Sequence, residues 1–79
     1  MAKVYARELR EVAEELDRAL RKYDRFNSPH EGIAVIQEEL DELWDEVKRK
    51  PKKRRLKRME HEAVQLAAMA LRFRLECCK

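Results

Sequence analysis

Seventy-nine residues of formal net charge +3 make one small domain, and a chain this short buries only about 60% of its unfolded surface. One glycine, two prolines and 44% charged residues exclude collagen-like and low-complexity classes, and 6% aromatics without runs of Val, Ile, Thr or Tyr argue against a sheet. The longest apolar run, residues 66–71, falls far short of the roughly 20 residues a membrane span needs.

Residues 1–7 hold no apolar stretch, so no secretory leader is expected. Cys77 and Cys78 are adjacent, a poor arrangement for bridging each other, so no disulfide framework is expected either. These features point to a cytoplasmic protein without a membrane partner.

The first element is a helix over about 4–25. Tyr5, Leu9, Val12, Leu16, Ala19, Tyr23 and Phe26 alternate steps of four and three, which makes a heptad seam in need of a partner. Arg7/Glu11, Glu14/Arg18 and Asp17/Arg21 stand four apart on the outer face. The second helix, over 29–49, is announced by Ser28 as N-cap, Pro29 at the first helical position and Glu31 closing a capping box. Its apolar stripe is Ile33, Ile36, Leu40, Leu43, Trp44 and Val47, with Trp44 expected in the core. Gly32 in its first turn costs a little helix propensity and leaves room for close backbone approach.

Pro51 breaks that helix, and a third runs over 57–77. Met59, Ala63, Val64, Leu66, Ala67, Ala68, Ala70, Leu71 and Leu75 make it apolar around more than half its girth. Three helices of this length cannot enclose such a surface. The expected fold is therefore all-α, a single domain over 1–79, a three-helix chain whose bundle is completed by homo-oligomerisation.

The charges are segregated. Residues 31–46 hold seven carboxylates and no base, whereas residues 48–58 hold nine bases and no acid. On the second helix Glu38, Asp41 and Asp45 point away from the apolar stripe, while Glu39, Glu42 and Glu46 lie together on the flank bordering it. Stacked like charges repel unless a cation sits among them, and a hard divalent ion such as Mg²⁺ takes oxygen ligands. On the third helix Arg58, Glu62, Gln65 and Arg72 form a narrow polar stripe. A cation shared by Glu39, Glu42 and Glu62 accounts for a carboxylate on an otherwise apolar helix; an ion pair with Arg58 one turn away does so too.

Glu38-Glu39-Leu40-Asp41-Glu42 resembles the EExxE motif of the MazG-like nucleotide pyrophosphohydrolases, the all-α NTP pyrophosphatase superfamily. Glu62-Ala63-Val64-Gln65 stands where that family has a second motif, ExxD, with nineteen residues between Glu42 and Glu62. The likeness covers residues 27–73, including the His30-Glu31-Gly32 helix start and Ala67-Ala68-Met69-Ala70-Leu71. Gln65 departs from the pattern, since its neutral carbonyl oxygen can ligate a metal but adds no charge.

The resemblance implies Mg²⁺, with Mn²⁺ as a substitute, held by Glu39, Glu42, Glu62 and Gln65. It implies hydrolysis of a nucleoside triphosphate to monophosphate and pyrophosphate, or a catalytically weakened relative of such an enzyme. Glu38 or Glu46 would accept the proton of the attacking water, and Arg58 would neutralise phosphate charge. The main alternative is a helical interaction module without catalysis, binding partners through the seam of the first helix and the basic residues 48–58; a third reading is a protein associated with nucleic acid through residues 48–58. That stretch contains no aromatic on which bases could stack, so nucleic acid is the less favoured partner. His30 and His61 fit neither HExxH nor the ExxH pattern of di-iron bundles.

Overall fold

The computed structural model describes residues 4–79; the first three residues of the segment read above for a leader lie outside them. Among the described residues are three α-helices, α1 (Ala6–Lys22), α2 (Pro29–Val47) and α3 (Leu56–Cys77), and no strand. None of these helices is long and apolar enough to cross a membrane. A short 3₁₀ turn at Pro51–Lys53 bridges α2 and α3.

Each boundary has a local cause. Glu8 in the first turn of α1 and Arg21 and Lys22 in its last suit the helix dipole. Glu11 accepts from Arg7 Nε at 3.0 Å as its spacing predicts, but Arg18 turns to Glu15, three residues back, instead of Glu14. At the start of α2 the Glu31 N–H donates to Ser28 Oγ at 3.1 Å. The return half of the expected capping box reaches one residue further. Glu31 accepts from the Asn27 backbone N–H at 3.0 Å and its Nδ2 at 2.9 Å, which also holds the Glu31 carboxyl below its ordinary range.

Helix α3 lies between α1 and α2, which do not pack on each other. Glu15 beside Gln65 and Asp24 beside Arg72 show α1 running parallel to α3. Gly32 beside Phe73 and Glu46 beside Arg55 show α2 running antiparallel. The result is a flat layer measuring 42 × 36 × 19 Å, with α3 in the middle. Its core is thin: Ala19, Ala68 and Met69 are its buried apolar residues, flanked by half-buried Val12, Leu16, Phe26, Val35 and Ile36.

Two expectations need correction. Trp44 is not in the core of the chain but 57% exposed, and Ile33 and Leu40 on the same stripe are exposed with it. Helix α2 turns its Gly32–Glu39–Glu46 face toward α3 because that face is fastened at both ends. At one end Gly32 lets the Phe73 ring come so close that a Cβ there would lie 2.7 Å from Phe73 Cδ2. At the other, buried Glu46 takes a bidentate bond from Arg55, at 3.1 and 2.6 Å. On α1 the N-terminal part of the seam, Tyr5 and Leu9, is likewise exposed.

Candidate metal centre

Glu39 and Glu42 stand three apart on α2, so their carboxylates share a face, and antiparallel α3 brings Glu62 opposite them. One carboxylate oxygen from each of Glu39, Glu42 and Glu62 lies within 4.8 Å of the others. Glu39 Oε2 and Glu62 Oε2 are buried without a hydrogen-bond partner. Burial pushes the Glu39 carboxyl up to about 7, and the charges of Glu42 and Glu62 push the same way. Glu62 is also raised, first by burial and then by Glu42, against the pull of His61 and Arg58. Buried acceptors facing one another are costly, and either a retained proton or a divalent cation bound through oxygen would relieve that cost. Carboxylate oxygens are donors of the kind that Mg²⁺ or Mn²⁺ takes.

The other residues singled out in the sequence fall into three positions. Gln65 lines the cleft beside Glu39 and lies near Glu15, whose carboxyl is held low first by Arg18 and then by Gln65. Glu38 is exposed on the rim of the same cleft. Arg58 is exposed and close enough for its charge to lower both Glu62 and Glu46, yet it forms no ion pair among the described residues. Glu46 is not brought into the cluster. Arg55 occupies both its oxygens and holds it below the usual carboxylate range.

The cleft encloses about 460 Å³ between the C-terminal half of α1 and the first turns of α2, with α3 as its floor. Tyr23, Phe26, Arg18, Gln65 and Arg72 line it, and Glu38 and Glu39 close one side. Space, aromatic surface and cations thus adjoin the carboxylates. A smaller depression of about 290 Å³, lined by Arg7, Glu8, Glu11 and Glu60, lies at the other end of α1, away from the cluster.

The sequence marked Arg72 only as part of the polar stripe of the third helix and did not single out Glu76. Both side chains are almost wholly buried, joined at 2.9 Å. The Arg72 guanidinium stacks 4.0 Å from the Phe26 ring centre and donates to the Asp24 carbonyl. Glu76 accepts from the Phe26 N–H at 2.7 Å. Together they tie the loop between α1 and α2, and with it one wall of the cleft, to α3.

The basic stretch is partly consumed by structure. Arg54 donates to the Val47 carbonyl and Arg49 to the Lys53 carbonyl, each at 3.0 Å, while Arg55 holds Glu46. Cys77 is half-buried, Cys78 exposed, and both are free. Comparison of the chain with protein-family models, with curated proteins and with solved structures gave no match.

Proposed function

We propose that the protein is a Mg²⁺-dependent nucleoside triphosphate pyrophosphohydrolase of MazG-like type, or a catalytically weakened relative, acting as a homo-oligomer. The observation that carries this is the convergence of Glu39, Glu42 and Glu62 from two helices, with two buried oxygens left without donors. These three glutamates would hold the ion, with the neutral Gln65 oxygen beside them. When bound, such an ion supplies charge for triphosphate oxygens and lowers the pKa of a coordinated water.

The chain's own residues do the rest. Glu38 on the exposed rim takes up the water proton, a role Glu46 cannot share while Arg55 covers it. Arg58 faces the phosphates with an uncommitted guanidinium. The aromatic walls at Tyr23 and Phe26 leave room for the nucleoside. The free thiols suit a cytoplasmic setting.

Incubation with a panel of ribo- and deoxyribonucleoside triphosphates and Mg²⁺ tests the proposal. Pyrophosphate and monophosphate should appear in equal amounts, and Glu42→Gln should abolish both. Release of orthophosphate instead, or equal turnover by the variant, would refute it. The interaction-module alternative draws on one observation, the exposed apolar residues of all three helices.

A further inference from the structure

The chain alone exposes more surface than a compact monomer should. Its accessible area is 6431 Å², whereas a folded monomer of 9.5 kDa shows about 5,000 Å². The surplus, about 1,400 Å², exceeds the ~800 Å² per partner that a standard interface buries. Among the described residues, no side chain larger than alanine is fully shielded within the chain. The missing burial has to come from outside it.

Much of the exposed apolar surface is on one face. On α2, Ile33, Leu40 and Trp44 are 46%, 51% and 57% exposed. At 100° per residue they stand roughly 100–140° round the helix from Glu39, which lines the cleft. On α3, Ala63, Ala67 and Ala70 lie about 140–200° round from Gln65 on the cleft floor. On α1, exposed Leu9 and Leu20 lie about 160–180° from Arg18 on the cleft wall. The three stripes therefore share the side of the layer opposite the cleft. They form an alanine trough along α3 between ridges of larger apolar side chains on α1 and α2. Between Ile33 and Trp44 the face carries no charge, only Gln37, and on α3 Glu60 enters it at one end and Arg74 at the other.

We propose that this face pairs with the same face of a second copy, giving six helices in two layers. A mainly apolar face with few charges fits neither a strongly acidic nor a strongly basic partner, whereas a flat apolar face is complementary to itself under a two-fold axis. The surplus area is more than one such interface requires. Each acidic cleft then opens outward on its own side, and no cleft borrows a residue from the partner. This gives the homo-oligomer of the reading above its interface without depending on the metal chemistry, so failure here leaves the pyrophosphate assay standing.

Trp44, the sole tryptophan, reports on the interface without mutation. Sedimentation equilibrium at micromolar concentration should give twice the chain mass. Trp44 emission should be blue-shifted and shielded from acrylamide, both reverting together on dilution. Leu40→Glu should halve the mass, whereas Asp17→Lys, on the outer side of α1, should not change it. A monomer in which Trp44 is open to quencher overturns the proposal. So does a dimer in which Trp44 stays open, because its interface is then elsewhere. Shielding of Trp44 only when anionic or neutral lipid vesicles are added would assign the face to a membrane surface and overturn it equally.

Discussion

Mutual repulsion among the three glutamates has a measurable consequence for stability. Glu39 titrates near 7 in the folded chain against 4.5 for an ordinary glutamate. Between those values the folded state holds a proton that the unfolded state has lost, so stability falls as pH rises through this window. Full conversion of the shift corresponds to about 3 kcal/mol, and partial solvent screening reduces that to about 1–2 kcal/mol. For a domain of this size, the melting temperature should drop by roughly 5–15 °C between pH 5 and pH 7.5. Glu62 is raised too and acts in the same direction. The depressed carboxyls Glu15, Glu31 and Glu46 act in the opposite sense, but lower, as pH falls through and below their ordinary range. Thermal melts followed by circular dichroism, at fixed protein concentration, measure the effect. Glu39→Gln should match wild type near pH 5 and exceed it at pH 7.5. Saturating Mg²⁺ should abolish the wild-type decline, adding about 2.7 kcal/mol at a hundredfold excess over its Kd. A flat wild-type profile, or a variant that is less stable at pH 7.5, would refute the repulsion on which the proposed metal centre rests.

Three further outcomes follow from particular contacts. Glu42→Gln and Glu62→Gln should lose the Mg²⁺-induced rise in melting temperature, Glu38→Gln should keep it, and Gln65→Asp should lower the Kd for Mg²⁺ measured by calorimetry. Gly32→Ala forces a methyl against the Phe73 ring at 2.7 Å, with Phe26 close behind, and should cost about 1–3 kcal/mol in urea unfolding. Arg72→Met leaves the Glu76 carboxylate buried without its partner and frees the loop at Asp24, so it should destabilise by about 3–5 kcal/mol; the double variant Arg72→Met/Glu76→Leu should recover much of that loss.

Local signals in the sequence determined the helices. Ser28-Pro29 and Glu31 start α2 because a cap and a fixed φ act over one turn, and Pro51 separates α2 from α3 because it lacks an amide hydrogen. The three-residue spacing of Glu39 and Glu42 put their carboxylates on one face wherever the helix went, and the polar stripe of α3 marked Glu62 as their counterpart. Orientation was decided only by tertiary structure. Helix α2 carries an apolar stripe and an acidic flank side by side, and its periodicity favoured burying the first. The Gly32–Phe73 contact and the Glu46–Arg55 pair turn it so that the flank faces α3 and Trp44 faces out. The fate of Glu46 depends on the path of the 3₁₀ linker, which delivers Arg55 to it across nine residues. Likewise, i,i+4 spacing shows that Arg72 and Glu76 can meet, but only the packing of the α1–α2 loop over them makes the pair buried. Spacing along a helix fixes which residues are neighbours; which way the helix faces depends on contacts made by residues far apart in the chain.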